Sequence, residues 1–257
     1  MSPATHRLIA LGASNLARTA LAILDAARAQ ANGPVDAHFA LGRGRSYGTR
    51  SRVLGRGLSS ILECGLWPLL AASPRTETTA IVMDVGNDLL YGVDPPRILS
   101  WVEQCLLRLQ PHTDRIVVLG LPMESARTIR PFQFEIVRRI LVPSCRLDLP
   151  GALAGCEALE LGLRDLALRH GAAFQTLPGA WYGIDPMHVR RRFWRTAARR
   201  WLAVDERHPG PSSAVDGAFA QLRFLLSAPD RRTWFGRERR AVQPALRWPC
   251  GTTAALW

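Results

Sequence analysis

Three side chains of this sequence have the types and spacing that can make a serine reactive. Ser14 follows a short apolar run, while Asp185 and His188 lie three residues apart in a later segment. A serine hydroxyl becomes a good nucleophile when a base removes its proton, and histidine is an effective base when a carboxylate fixes its tautomer. The sequence therefore predicts Ser14 as nucleophile, His188 as general base and acid, and Asp185 as the carboxylate that orients His188.

Attack of a serine on an ester also needs hydrogen-bond donors in place, because negative charge develops on the carbonyl oxygen. The predicted donors are the backbone N–H of Ser14, the side-chain amide of Asn87 and one glycine N–H from residues 42–48. Three glycines of that segment are candidates, and the residues alone leave the choice open: Gly42, Gly44 and Gly48.

Alternating apolar runs and helical periodicities predict an α/β domain that would position these groups. Runs typical of buried parallel strands occupy about residues 7–11, 35–41, 80–85, 115–121 and 172–177. Helical spacing occupies about residues 16–31, 95–109 and 130–170, the last of these as one or two helices. This order favours a five-stranded parallel sheet covered by helices on both faces, with its site at the carboxyl ends of the strands.

Four segments of the sequence resemble, in order, the motifs of the SGNH (GDSL-like) hydrolases. They are Gly12-Ala-Ser-Asn15, Arg45-Ser-Tyr-Gly48, Gly86-Asn-Asp88 and the pair Asp185 and His188. The resemblance covers about residues 6–203. It implies a three-layer α/β/α flavodoxin-like fold and hydrolysis of esters or thioesters through an acyl-serine, without a metal or other cofactor. It also favours Gly48 as the oxyanion glycine, because a helix predicted at about residues 49–62 follows it, as in the family.

Two residues depart from the family pattern around the nucleophile. Ala13 stands where the family usually has aspartate, and Asn15 stands where it usually has leucine or isoleucine. These departures motivate one alternative, a binding module that keeps the fold without catalysis. A second alternative is an acyltransferase with the same triad, because the sequence does not distinguish water from an alcohol as the acyl acceptor.

The charge of the chain is concentrated away from the predicted site. The 257 residues include 33 basic residues, all of them arginine, and 21 acidic residues, which gives a formal net charge of +12. Residues 1–188 hold 19 arginines and 16 acids, and residues 189–257 hold 14 arginines and five acids. We therefore divide the chain into a hydrolase domain, residues 1–203, and a C-terminal extension, residues 204–257.

The partners that the sequence predicts follow from this division. The expected substrate is a small-molecule, carbohydrate or lipid ester, and nucleic acid is not favoured. An amphipathic helix over residues 189–202 is most simply a packing helix, although its residues 190–201 also allow peripheral contact with a membrane. The tryptophans of the extension favour packing on the domain or a homo-oligomer contact. An odd number of cysteines without a C-x-x-C pair, and charges that interrupt the first apolar segment, favour a cytoplasmic location.

Overall fold

The computed structural model describes residues 6–53, 55–141, 145–183, 185–205, 215 and 217–257. Its strands are β1 (His6–Leu11), β2 (Val35–Ala40), β3 (Ser51–Val53), β4 (Arg56–Leu58), β5 (Glu77–Val82), β6 (Arg115–Leu119), β7 (Ala173–Gln175), β8 (Arg231–Trp234), β9 (Arg237–Arg240), β10 (Leu246–Arg247) and β11 (Thr253–Leu256). Its helices are α1 (Ser14–Ala31), α2 (Leu66–Ala72), α3 (Asn87–Leu90), α4 (Pro95–Leu109), α5 (Met123–Ala126), α6 (Pro131–Leu141), α7 (Leu149–Arg169), α8 (Trp194–Trp201) and α9 (Ala218–Leu226).

The main sheet has seven strands in the order β10, β11, β2, β1, β5, β6, β7. All neighbouring strands are parallel except β10, which runs antiparallel to β11. The predicted α/β fold with a parallel sheet is confirmed, and the five predicted strands lie side by side in it. The predicted number of five strands is wrong, because β11 and β10 extend the sheet beyond β2.

Helices cover both faces of the sheet, as the alternation of side chains along a buried strand requires. Every residue of β1 is buried. Leu8 and Ala10 belong to a core cluster with α1 and α8, whereas Ile9 and Leu11 belong to a second cluster with α4 and α7. Successive strand residues point to opposite faces, so both faces of β1 need an apolar cover. The result is the three-layer arrangement that the resemblance implies.

The segment after Gly48 is a β-hairpin, and the prediction of a helix over residues 49–62 is wrong. Strands β3 and β4 pair with each other and continue into β8 and β9 as a second, antiparallel sheet. Gly55 closes the first hairpin with a φ of +77°, a conformation that glycine adopts without the steric cost of a side chain. Residues Ile61–Glu63 then form a single 3₁₀ turn.

The C-terminal residues fold back onto the main sheet. Strand β11 pairs in parallel with β2, and the N–H of Trp257 donates to the carbonyl oxygen of Phe39 at 2.9 Å. The indole of Trp257 stacks near the ring of His38, with 6.1 Å between the ring centroids. The division of the chain at residue 203 stays a prediction, although residues on both sides of it build the same sheet.

The basic segment before the extension is shorter than the predicted helix over residues 189–202. A 3₁₀ turn at Arg191–Phe193 precedes α8, which packs against α1. The apolar side of α8, formed by Ala197, Ala198 and Trp201, is buried in this contact. None of the helices in the described ranges is long and apolar enough to cross a membrane.

Candidate active site

The three predicted catalytic residues lie in one hydrogen-bonded row. Ser14 is the first residue of α1, directly after the turn that follows β1. Its hydroxyl donates to Nε2 of His188, with 2.9 Å between Oγ and Nε2. The other ring nitrogen, Nδ1, donates to Oδ2 of Asp185 at 2.8 Å. This arrangement keeps Nε2 free of a proton, as a general base for Ser14 requires.

Asp185 is held in its charged form by its neighbours. Burial raises the pKa of Asp185, but hydrogen bonds from His188 and from the N–H of Met187, together with nearby Arg18, outweigh burial and leave the pKa below its usual value. Arg18 lies 3.6 Å from Oδ2 of Asp185. A charged carboxylate stabilises the imidazolium that forms when His188 takes a proton.

Asp84 anchors the nucleophile turn from the neighbouring strand, a role that sequence reasoning missed. Its Oδ2 accepts the N–H of Ala13 at 2.8 Å and the N–H of Leu16 at 3.0 Å. These groups lie at the start of α1, where N–H groups lack partners within the helix. Asp84 holds a φ of +62°, which is uncommon for a residue other than glycine. A carboxylate from the end of β5 thus stabilises the turn in which Ala13 replaces the usual aspartate.

Asn15 joins this turn to the histidine loop. Its Nδ2 donates to Oδ1 of Asp84 and to the carbonyl oxygen of Met187, both at 2.9 Å. Its Oδ1 accepts the N–H of Val189 at 3.0 Å. Asn15 therefore binds the backbone on both sides of His188. The only sequence signal of this role was the polar residue itself, at a position that the family usually fills with leucine or isoleucine.

Asn87 begins the short helix α3, beside the cavity of the site. Its Nδ2 is buried and has no hydrogen-bond partner among the described residues. A buried amide without an acceptor is costly, and an oxygen of a bound substrate would supply one. This geometry suits the donor role predicted for Asn87.

Gly48 has a packing role in the structure. A Cβ at this position would lie 2.0 Å from the indole of Trp101, so a side chain larger than hydrogen does not fit. The N–H of Gly48 donates to Oγ of Ser46 at 3.2 Å. Gly48 lies outside the lining of the cavity, as do Gly42 and Gly44. Participation of Gly48 in an oxyanion hole stays a prediction, and its N–H has an acceptor within its own loop.

Ser46 is a second serine with a motif-like setting, because Gly44-Arg-Ser-Tyr-Gly48 matches Gly-x-Ser-x-Gly. That pattern marks a nucleophile when it forms a tight turn between a strand and a helix. Here Ser46 is completely buried, and its Oγ accepts hydrogen bonds from Thr49 as well as from Gly48. The motif in this chain serves loop structure, whereas Ser14 is only half-buried and contacts His188.

The loop of residues 42–48 is tied to the sheet through Tyr47 and Asp88. The Tyr47 hydroxyl donates to the carbonyl oxygens of Met83 at 2.7 Å and Leu11 at 3.2 Å, at the ends of two central strands. The N–H of Tyr47 donates to Oδ2 of Asp88 at 2.9 Å. Burial raises the pKa of Asp88 to about 6, although hydrogen bonds from Ser46 and Tyr47 act in the opposite direction.

A largely apolar cavity of about 530 Å³ opens beside His188 and Asn87. Its size is within the range of small-molecule sites. The apolar part of its lining comes from the strand ends, from α3, α6 and α7, and from loops beside them: Met83, Val85, Leu89, Leu90, Leu119, Leu121, Ile129, Phe134, Ile136, Leu149, Ala152, Leu153 and Leu177. Within the described ranges, no group of three or more histidine, cysteine, aspartate or glutamate residues could hold a metal ion.

Comparisons with known proteins identify the fold and leave the activity open. No family model matches the sequence, and no curated protein matches it. The solved structures that resemble it include a lipolytic protein of the G-D-S-L family from Veillonella parvula, with a TM-score of 0.52 and 15% identity over 79% of this chain and 99% of that chain. The aryl esterase of M. smegmatis gives a TM-score of 0.51 and 12% identity over 77% of this chain and 100% of that chain. A carbohydrate acetylesterase family member from Sinorhizobium meliloti gives a TM-score of 0.50 and 14% identity over 77% of this chain and 95% of that chain.

These structures are similar to the chain over nearly their whole length. The fold is therefore that of the SGNH (GDSL-like) hydrolases, in agreement with the resemblance found in the sequence. At identities of 12 to 15% the likeness concerns the fold. Function has to be argued from the site.

Proposed function

We propose that the protein is a serine hydrolase that cleaves esters through an acyl-serine intermediate. The observation that carries this proposal is the row from Ser14 Oγ to His188 Nε2 at 2.9 Å and from His188 Nδ1 to Asp185 Oδ2 at 2.8 Å. Ser14 is 174 residues from His188 in the chain, whereas Asp185 is three residues from it. Their arrangement is the one that nucleophilic catalysis requires. Packing of the core does not by itself require a serine hydroxyl, an imidazole and a carboxylate to be hydrogen-bonded in this order.

In the first half of the reaction, His188 Nε2 takes the proton of Ser14 while Oγ forms a bond to the carbonyl carbon of the ester. The oxyanion accepts hydrogen bonds from the Asn87 amide and from the N–H of Ser14, which lies in the first turn of α1. When the carbon–oxygen bond to the alcohol breaks, His188 gives its proton to the departing oxygen. The alcohol leaves, and the acyl group stays on Ser14.

In the second half, His188 removes a proton from water, and the water oxygen attacks the acyl-serine. Collapse of this intermediate releases the carboxylic acid, and His188 returns the proton to Ser14 Oγ. Asp185 keeps the ring in one orientation throughout and stabilises its charged form. An alcohol in place of water would give the acyltransferase alternative with the same residues.

The lining of the cavity supports an ester with an apolar acyl group. Burial of each methylene in an apolar site is worth about 0.8 kcal/mol, so the cavity favours substrates that fill it. Four polar residues of the site also line the cavity: Asn15, Asn87, Asp185 and His188. We also retain a cytoplasmic location in the proposal, supported by the odd number of cysteines and by the lack of a C-x-x-C pair in the sequence.

Hydrolysis of p-nitrophenyl esters by the wild type and by Ser14→Ala tests the proposal. We expect the variant to lose about 10³-fold or more of kcat, as removal of a nucleophile does. Ser73→Ala is the matched control, because that hydroxyl donates to the carbonyl oxygen of Leu69 in α2. Equal rates in the wild type and Ser14→Ala, with the fold intact, would contradict the assignment.

A fluorophosphonate probe separates the proposed enzyme from the alternative of a binding module. An activated serine forms a covalent bond to the phosphorus and displaces fluoride, whereas a serine without a base does not. We expect the wild type and Ser73→Ala to be labelled and Ser14→Ala to stay unlabelled. Absence of label on the wild type would favour the binding module.

A further inference from the structure

The hairpin of β8 and β9 carries a large aromatic residue where the turn does not favour one. The two residues of the turn, Phe235 and Gly236, have φ values of +46° and +81°. Positive φ at both positions is typical of a type I′ turn, which favours asparagine followed by glycine. The Phe235 side chain is nevertheless 74% exposed. One edge of the ring packs over Gly55, where an added Cβ would lie 3.0 Å from it, but most of the ring stays in solvent. The residue thus gains nothing from the turn geometry and little from burial.

Trp234 extends the apolar character of this tip. Its ring meets the ring of Phe235 edge to face, with 5.4 Å between the centroids. On its other side the guanidinium of Arg56, from the neighbouring strand β4, lies 4.8 Å from the indole centroid. Trp234 is itself 38% exposed. The end of the second sheet therefore presents two adjacent aromatic rings bordered by a cation.

Arginines face one another along the strands behind this tip. Arg231 lies opposite Arg240, and Arg232 lies opposite Arg239. Like charges at directly opposed positions destabilise a sheet. Every residue of β9 is exposed, so the arginines of this strand are open to a partner.

Carboxylates neutralise only part of this charge. Glu238 pairs with Arg240 at 3.0 Å, and Asp230 lies 4.0 Å from Arg231. The structure gives no carboxylate partner within the described residues to three further arginines of the hairpin: Arg232, Arg237 and Arg239. Charge on an edge strand also discourages pairing with another chain. That effect accounts for β9, but it does not account for arginines on the inner strand β8 or for Phe235.

We propose that the β8–β9 hairpin is a docking surface for an anionic lipid bilayer. Aromatic side chains at an exposed turn suit the region between headgroups and acyl chains, and arginines behind them suit the lipid phosphates. Single-stranded nucleic acid also binds aromatic and arginine side chains, but along a groove on which successive bases stack. Here both rings gather at one turn, which favours the bilayer.

This inference places the membrane contact at the β8–β9 hairpin, whereas the sequence suggested residues 190–201 for it. The apolar side of α8 packs on α1 and leaves mainly its arginine side to solvent. The hairpin combines charge with exposed aromatic area, which stable attachment to a bilayer needs. The inference is independent of the proposed hydrolase activity.

Co-sedimentation with lipid vesicles tests the inference on the full chain. We expect binding to vesicles of phosphatidylcholine mixed equally with phosphatidylglycerol, weak binding to phosphatidylcholine alone, and loss of binding as NaCl is raised from about 0.05 M to about 0.5 M. The charge-reversal variant Arg237→Glu/Arg239→Glu should bind the anionic vesicles at least about tenfold more weakly. Arg191→Glu/Arg192→Glu is the matched control, with the same charge change beside α8, and should bind like the wild type.

Phe235→Asn separates membrane binding from folding. Asparagine followed by glycine suits the type I′ turn, so we expect a melting temperature equal to or above that of the wild type. Binding to the anionic vesicles should nevertheless fall severalfold, because the aromatic tip is lost. Wild-type binding by both hairpin variants would overturn the inference, as would loss of binding in the α8 control alone. Binding to a single-stranded oligonucleotide without binding to vesicles would overturn it as well.

Discussion

The position of His188 relative to Ser14 depends on one amide side chain. Asn15 contacts the carbonyl oxygen of Met187, the N–H of Val189 and the carboxylate of Asp84. These contacts fix the loop on both sides of the histidine without touching its ring. Misplacement of a catalytic group by about 1 Å can cost about 10²-fold in rate. Asn15 is thus a positioning residue of the proposed site.

We therefore expect Asn15→Leu, which restores the residue type usual in the family, to lower kcat by about 10-fold to 100-fold. KM should change little, because the side chain lies beside the catalytic row, at the edge of the cavity. Labelling by a fluorophosphonate should slow in parallel. Thr19→Val is the control on the same helix, since Thr19 Oγ1 donates to the backbone carbonyl oxygen of Asn15, one turn earlier in α1. Wild-type kcat in Asn15→Leu would contradict the role.

The three side chains of the hydrogen-bonded row could be named from the sequence as candidates, whereas the residues that hold them in place could not. Few residue types can act as nucleophile, base and orienting acid, so the Asp185–His188 spacing and Ser14 after a strand were informative. The role of Asp84 depends on β5 lying beside β1, and the role of Asn15 depends on where the histidine loop docks. Both are products of tertiary structure, for which local spacing carries no signal.

At the scale of elements, Asp88 links the loop of residues 42–48 to α3, and its burial makes the free energy of unfolding depend on pH. Burial raises its pKa from the ordinary 3.8 to about 6. The folded state therefore holds the proton more tightly than the unfolded state. The resulting stabilisation is fully present below about pH 4 and is lost as pH rises through 6.

We expect Asp88→Asn to remove the loss of stability at higher pH, because asparagine has no proton to lose and its amide oxygen can still accept the hydrogen bond from the Tyr47 N–H. The gain in unfolding free energy over the wild type should reach about 3 kcal/mol near pH 8 and shrink toward pH 4. Urea unfolding at several pH values measures it. Asp94→Asn, at an exposed position before α4, controls for the loss of one charge. A gain that does not depend on pH would contradict the assigned cause.

Ala152 of helix α7 is 8% exposed and lines the cavity, so a larger side chain there would fill part of it. We expect Ala152→Phe to shorten the preferred acyl chain. Each methylene that no longer fits should cost about 0.8 kcal/mol, or roughly fourfold in kcat/KM. A series of p-nitrophenyl esters from acetate to decanoate measures the shift. Ala154→Phe, an exposed position on the same helix, should keep the wild-type profile.

The elements themselves were predictable where the pattern was long. The helix at Pro95–Leu109 has the predicted bounds, and all five apolar runs became strands. The hairpin of β3 and β4 escaped prediction because its strands have three residues each. Strands β10 and β11 are also short, and β11 pairs with a strand more than 200 residues earlier in the chain. Such pairing leaves no local pattern.

At the scale of the whole molecule, the last residues support the loop that precedes the second sheet. Arg45 is 1% exposed, and its guanidinium donates to the carbonyl oxygens of Leu41, Ser59 and Trp257. Burial lowers the pKa of Arg45, although nearby Cys64 and Asp230 act against this effect. A buried cation that loses one of its acceptors is costly.

We expect Trp257→Ala to lower the unfolding free energy by about 3 kcal/mol, through lost packing at the edge of β2. The urea midpoint measures this change. Trp248→Ala is a control for the loss of an indole, because Trp248 is only partly buried.

A stable chain truncated after residue 203 would support the predicted division there, whereas aggregation of that fragment would show that the C-terminal extension completes the core.

Homo-oligomer formation through residues 204–257 stays a prediction. Helix α9 offers a face for such a contact, with four large apolar side chains more than half exposed: Phe219, Leu222, Leu225 and Leu226. Sedimentation velocity of the wild type and of Leu222→Ser/Leu226→Ser measures it. We expect a lower average mass for the variant if this face joins two copies.

The ends of the main sheet restrict how two copies could meet. Its outermost strands, β10 and β7, have two and three residues, and β10 includes Arg247. Such short edge strands offer few free backbone groups to a strand from another molecule, and the charge of Arg247 opposes pairing at β10. By pairing with β2, strand β11 of the C-terminal extension covers an edge of the sheet that would otherwise be open to aggregation. Contacts between two copies at these edges would therefore be made by side chains rather than by backbone pairing. Substitution of single residues would be enough to weaken such contacts.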